Sequence, residues 1–443
     1  MPEIFGPSQF DPVNKTANTQ RLFNLFREPI GQRKLLRSCV GLTQRAATGQ
    51  FFCRDLFDLD GKLFSVFGRN LYRISGATVT LIGDVGTGHV QLSRNAERLT
   101  VTAGGRYFVW DGEALTEPAT GAFSAFGSVD YLAGRTILTE LNGSRIQWSG
   151  IDDPSTLDGL NFAAAESRPD KVLRVIVSGS AMMLFGEQST EIWGATGQGG
   201  ANAFALLPGA VVDTGLFAFG TATRIDGGVF LVGDDGIAYI AAGTTWQPVS
   251  TPAVNAAIAA HGPTRCKYWE DSGHKFCAIG FADRPDWVYD ITTQEWHERG
   301  EGVDGAWRAT AAVRSGGAWY FGADDGALYS GARNGMDAGA PLIRQATSGV
   351  IERGGDYFGL SQVLFGASYG EQVMDRAASL VLEISRDGAT WGEPRACDVG
   401  FNGDFSKRAV FRALGRSRRF ALRLTFSDPC DFSLWADAEV KLV

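Results

Sequence analysis

The sequence predicts an all-β protein, a six- or seven-bladed β-propeller followed by a C-terminal β-sandwich-like domain. Three observations point there. Short runs of alternating apolar and polar residues, bounded by Gly, Asp and Asn, recur from about residue 50 to residue 335, whereas helical periodicity is nearly absent. Hairpin-like stretches return at intervals of roughly 40 to 48 residues, the length of a four-stranded blade. Glycine is abundant, 57 of 443 residues, and spread evenly. That distribution suits a fold with many tight turns, because only glycine enters positive φ without steric cost.

Residues 1–45 carry no hairpin of the recurring kind and are read as an N-terminal arm. The blades are expected over 46–335, from "GKLFSVFGRNLYRI" at 61 and "GGRYFVWDGEAL" at 104 through "GRTILTELNGSRIQWSG" at 134 and "SGSAMMLFGEQSTEIWGA" at 178. They continue with "DGGVFLVGDDGIAYI" at 226, "HKFCAIGFADRPDWVYDI" at 274 and "GGAWYFGADDGALYSG" at 316. One short helix is expected at 251–260, with Thr251 as N-cap and Pro252 at the first helical position. At 331–342, "GARNGMDAGAPL", small and turn-prone residues cluster and the hairpin theme stops, so a domain boundary is placed there. Residues 336–443 alternate as strands ("SLVLEIS", "RRFALRLTF") and fit a compact sandwich.

Charge and motifs narrow the function. The formal net charge is −8, which disfavours general nucleic-acid binding but suits a surface that DNA slides past. "MPEIFGPSQF" has neither the basic nor the apolar region of a secretory signal, and no apolar run spans a bilayer, so assembly in a cytoplasm is expected. The six cysteines form no C-x-x-C pair and are read as reduced thiols. Cys266, His274 and Cys277 share one hairpin but lack a fourth ligand, and the paired acids of "GDDG" and "ADDG" sit where hairpins need turn residues. The four histidines form no catalytic constellation and no cofactor fingerprint is present, so no cofactor, metal or small-molecule substrate is expected and the chain is read as a non-enzyme.

Two stretches stand out. "EISRDGATWGE" at 383–393 nearly makes the Asp-box turn S-x-D-x-G-x-T-W, but Asp387 is followed directly by Gly388, one residue short. The box is a folding device in which the aspartate caps a turn and the tryptophan, here Trp391, packs beneath it. A basic cluster, "SKRAVFRALGRSRRFALRL", brings together Arg408, Arg412, Arg416, Arg418 and Arg419 with Lys407 and Arg423. It reads as an assembly or docking patch ahead of a nucleic-acid contact.

Several segments resemble one family. "NTQRLFNLFREP" (18–29), Gly41-Leu42, "WSGIDDPSTLDGLNFAAAESRPDKVLRV" (148–175), "LFGEQSTEIWGATG" (184–197) and "LGRSRRFALRLTFSDP" (414–429) are similar to the tail-hub or nozzle proteins of short-tailed bacteriophages, the packaged-DNA stabilisation proteins. The order of segments carries the resemblance, which spans nearly the whole chain. It implies a homo-hexameric ring in the virion tail, beneath the portal and its adaptor or connector ring, with a tail plug or needle and tail fibres or spikes as neighbours. Double-stranded DNA would pass without sequence-specific binding and be retained until ejection. The other readings are a glycan-binding or glycan-cleaving propeller, such as a receptor-binding tail protein, which needs acids and arginines converging on the propeller axis, and a monomeric scaffold propeller.

Overall fold

The computed structural model describes residues 3–9, 19–165, 167–369, 376–401 and 408–442. Among these, seven four-stranded antiparallel units stand around one axis: blade 1 (53–84), blade 2 (90–116), blade 3 (126–164), blade 4 (172–212), blade 5 (222–248), blade 6 (265–299) and blade 7. The sequence left six or seven open, and the structure gives seven. Within blades 1 to 6 the strands run outward from the axis in chain order. Several first hairpins use two-residue turns with positive φ at both positions, as at Asp60-Gly61 (52° and 80°) and Ser272-Gly273 (52° and 84°). These are the turns whose twist matches that of paired strands. The helix Pro252–His261 follows blade 5, with Thr251 extended at its N-cap.

Blade 7 is built from both ends of the propeller sequence. Its three inner strands are Ala309–Ser315, Ala318–Ala323 and Ala327–Ala332, and its outermost strand is Gly41–Ala47, paired antiparallel to Ala327–Ala332. The boundary drawn at residue 45 therefore falls inside a blade strand. The closure is tight: a Cβ on Gly41 would lie 1.8 Å from the Met336 carbonyl oxygen, so no larger residue fits there without moving backbone.

The rest of the N-terminal segment joins the two halves of the molecule. Arg21–Phe23 runs parallel to the outer strand of blade 6, Glu295–Arg299, and antiparallel to Arg344–Thr347. Arg344–Thr347 in turn pairs with Arg419–Phe426, followed by Ala378–Ser385 and Arg395–Gly400. One ten-stranded sheet thus runs from the propeller into the C-terminal domain. On the other layer, the hairpin Leu25–Ile30 and Arg33–Ser38 pairs with Phe432–Trp435, while Phe358–Phe365 pairs with Ala409–Arg412 and Glu439–Leu442. The core between these layers includes Phe5, Leu22, Leu25 and Leu36 beside Phe365, Phe411, Leu422 and Phe426. The sandwich core is therefore completed by residues from the other end of the chain.

Buried Asn24 sits at the bend between these two uses of the segment, with φ of 55°. Its amide nitrogen donates to the carbonyls of Gly300 (3.0 Å) and Ile343 (2.7 Å), and its oxygen accepts from Arg299 Nη1 and the Gly300 amide, each at 3.1 Å. One side chain thereby ties the arm, blade 6 and the strand entering the sandwich. Asn24→Ala removes all four bonds, leaves buried partners unpaired and keeps a left-handed backbone that alanine disfavours. The expected loss is about 2–4 kcal/mol of unfolding free energy, read by urea titration. A loss below about 0.5 kcal/mol would contradict the role assigned to Asn24.

Candidate functional site

The innermost strands bring polar side chains toward the axis, where they tie neighbouring blades. Asp55 of blade 1 accepts from the Leu92 amide of blade 2 at 2.8 Å. Ser93 of blade 2 donates to Asp130 of blade 3 at 3.0 Å, and Asp130 also accepts from the Val177 amide of blade 4 at 2.7 Å. Arg224 of blade 5 reaches back to Asp130 (2.6 Å) and to the Val177 carbonyl (2.7 Å). Arg174 of blade 4 donates to the carbonyls of Phe219 and Ala222, leading into blade 5. The Cys266 amide of blade 6 donates to Gly220 O at 2.8 Å, ahead of blade 5. Arg265 of blade 6 bonds the Thr310 carbonyl of blade 7, and Thr310 Oγ1 donates to Cys53 O of blade 1 at 2.7 Å. Side chains of the innermost strands thus tie every junction except that of blades 5 and 6, which the Cys266 backbone bond holds.

Acids and arginines do converge on the axis, lining a cavity of about 280 Å³ that includes Asp55, Asp130, Arg174, Arg224 and Arg314. Their polar atoms are largely committed to blade ties. Asp130 accepts from four donors, counting the Tyr131 amide, and Arg174 is held by two carbonyls and Gln91. Burial lowers the pKa of Arg174 and pushes the Asp55 carboxyl up to about 6, against the two backbone amides that it accepts from. A glycosidase needs carboxyl groups free to protonate a leaving group and to attack or activate water. Asp55 and Asp130 instead spend their oxygens on the fold.

The stretch 385–391 forms a closed turn. Asp387 Oδ1 accepts from the amides of Thr390 (2.7 Å) and Ala389 (2.8 Å) and from Ser385 Oγ (2.9 Å), and the Gly388 amide donates to Ser385 Oγ. The two backbone amides hold the Asp387 carboxyl well below the usual carboxylate range. Gly388 has φ of 81°, and Trp391 lies under the Arg423 guanidinium at 4.2 Å. The turn closes with one residue fewer than the Asp-box pattern.

Of the basic cluster, Lys407 lies outside the described residues. Arg408, Arg412, Arg416 and Arg418 are exposed and Arg419 half-buried, and among the described residues none has a carboxylate within ion-pair distance. Arg423 is set apart, paired with Glu383. The structure adds two arginines that sequence reading missed. Arg395 donates to the carbonyls of Arg412 and Ala413, and Arg386 reaches Leu414 O at 3.5 Å. Both lie on a neighbouring hairpin about twenty residues away, so no local charge run reveals them. Arg418 stacks on the exposed Tyr357 ring at 4.9 Å.

The remaining candidates serve the fold. Cys266 and Cys277 pack in one core cluster, while His274 pairs with Asp290 at 2.6 Å beside another cluster, so the three do not converge. Asp235 and Asp325 each cap their own turn through the amide two residues on.

Residues 13–330 match the family model described as bacteriophage P22 Gp10, beta-propeller, and residues 343–442 match the one described as bacteriophage P22 Gp10, beta-sandwich. No curated protein matches the chain. Among solved structures, the computationally designed Ika8 protein is 16% identical over 65% of this chain and 99% of its own, with a TM-score of 0.43. BBS1N in complex with ARL6DN is 12% identical over 70% of this chain and 96% of its own, and the RRP9 WD40 repeats are 10% identical over 66% and 99%, both with a TM-score of 0.43.

The raised pKa of Asp55 couples the stability of the fold to pH. A carboxyl that holds its proton more tightly when folded favours the fold at low pH, and the advantage is lost as pH rises from about 4 to about 6. Asp55→Asn removes that slope, on the order of 2 kcal/mol, from the stability of the chain. Unfolding free energies of the two proteins across pH 4 to 7 are expected to converge as pH rises. A constant difference between them would contradict the assignment.

Proposed function

The chain belongs to the bacteriophage P22 Gp10 family of packaged-DNA stabilisation proteins, and on that premise we propose that six copies form the hub or nozzle of a phage tail. The single observation that carries the proposal is the match of both domains, in order, to the two models of that family. The ring sits below the portal and its adaptor, closes the DNA channel together with a plug or needle, and holds packaged DNA until ejection. Tail fibres or spikes attach around it. The protein is structural, and its work is mechanical.

Geometry supports a channel between copies rather than through one. The axis of a single propeller is crossed by its own side chains, with Arg224 of blade 5 bonded to Asp130 of blade 3 and Arg265 of blade 6 bonded to Thr310 of blade 7. DNA therefore cannot thread a single propeller, and a bore of sufficient width needs several copies around a common axis. Electrostatics supports the same arrangement. Basic and acidic residues balance within residues 343–443, so the net charge of −8 lies on residues 1–342. An acidic propeller releases a phosphate backbone rather than gripping it.

Phage particles assembled without the chain test the proposal. They are expected to fill with DNA and then lose it, leaving empty heads attached to connectors when DNA content is followed by nuclease protection. Particles that keep their genomes without the chain would overturn it.

A further inference from the structure

The exposed arginines of the sandwich and one connection of blade 3 have matching chemistry. The connection 149–161 joins Arg145–Trp148 to Phe162–Ala164, and it is long for a within-blade turn. Connections of about this length without regular structure are uncommon in compact domains and are usually functional. It is held in shape by hydrogen bonds: the Asp152 amide to Gly134 O (2.7 Å), the Tyr107 hydroxyl to Pro154 O (2.8 Å) and Gln147 Nε2 to Asp158 O (3.0 Å). So held, it and the strand after it present Ile151, Leu160 and Phe162 to solvent at 64%, 75% and 39% exposure. Asp152 and Asp158 are exposed beside them, and half-buried Asp153 accepts from the Ser155 amide at 3.1 Å with Arg98 at 3.7 Å. Three exposed large apolar side chains on one held connection, with carboxylates beside them, suit an interaction site.

The counterpart is Arg408, Arg412, Arg416 and Arg418 with the exposed Tyr357 ring, extended by Arg386 and Arg395. Arginine and tyrosine are the residue types that interfaces favour, because they offer flat area together with hydrogen-bond donors. The two surfaces cannot meet within one chain. The sandwich continues the sheet of blade 6, and the connection belongs to blade 3, three blades away round a seven-bladed ring.

We infer that the arginine surface of one copy docks on the 149–161 connection of the next copy. The inference rests on the ring reading above and names the surfaces that build the ring. Each copy carries both halves of the contact at different places, so the contact is heterologous and repeats from copy to copy until it closes. The carboxylates steer and register the arginines, and the apolar residues supply the area that leaves water.

The test uses full-length chains of two kinds. The patch variant carries Arg412→Glu and Arg416→Glu, and the loop variant carries Ile151→Lys and Leu160→Lys; all four positions are exposed, and unchanged melting verifies the fold. By light scattering, wild type forms rings of about six, alone or on connector rings. Each variant alone needs at least about 30-fold more protein to assemble. An equimolar mixture of the two stops at a heterodimer, because the intact arginine surface of the loop variant seats on the intact connection of the patch variant and both outer ends are dead. Rings formed by either variant at the wild-type concentration would overturn the inference and leave the ring reading standing. A patch variant that loses only its retention on duplex DNA, with its mass unchanged, would overturn it by assigning the arginines to phosphates. Wild type that stays a single chain even on connectors would overturn both.

Discussion

The structure depends on three residues of backbone. Arg21–Phe23 pairs on one side with the outer strand of blade 6 and on the other with Arg344–Thr347, and this pairing makes the propeller and the sandwich share a sheet. A blade's outermost strand otherwise ends in unpaired amides and carbonyls. Here that edge is filled, and the filling strand carries Leu22 into the sandwich core. The electrostatics reinforce the backbone: Arg21 grips Glu298 with two nitrogens, at 2.7 and 3.1 Å, and Arg27 reaches Glu295 at 3.0 Å. A buried charge is tolerated only when it is paired, and Glu298, almost fully buried, has Arg21 against it and Arg284 at 3.8 Å.

The same segment then closes blade 7 through Gly41–Ala47, so within about thirty residues the chain pins the domain junction and the propeller seam. The axial ties complete the ring from inside. Between them, seam and ties make a propeller whose centre is occupied by its own side chains. The polar groups that a catalytic or ligand-binding propeller would aim into the axis are here the means by which blade meets blade. What remains for function is the outside of the molecule: the flanks, the connections and the sandwich surface.

Much of this architecture was legible in the chain. The recurring hairpins are local, built from turn residues and alternating strands, and a reading along the sequence finds them, the stretch at 134 among them as the third blade. The seam and the junction were not legible, because both are pairings between residues some 280 to 330 positions apart, and nothing local in "RLF" or "GLTQRAA" says what it will pair with. The axial ties look like ordinary strand residues, as Asp55 in "CRDLFDL" or Asp130 in "FGSVDYL", and a polar residue recurring in each blade's first strand was the available signal. The arginine surface was half legible. Arg408 to Arg419 form a run, whereas Arg386 and Arg395 join it only through the folded sandwich. The turn at Asp387 was readable from its residue types, while the missing residue concealed how the turn closes.

If one strand makes the molecule a single body, the two domains must unfold together, since the sandwich core cannot stay packed once Phe5, Leu22, Leu25 and Leu36 leave it. Differential scanning calorimetry of the full chain measures this directly. One transition is expected, with a calorimetric enthalpy close to the van't Hoff value. Two separated transitions, one of them the sandwich melting with the propeller intact, would contradict it.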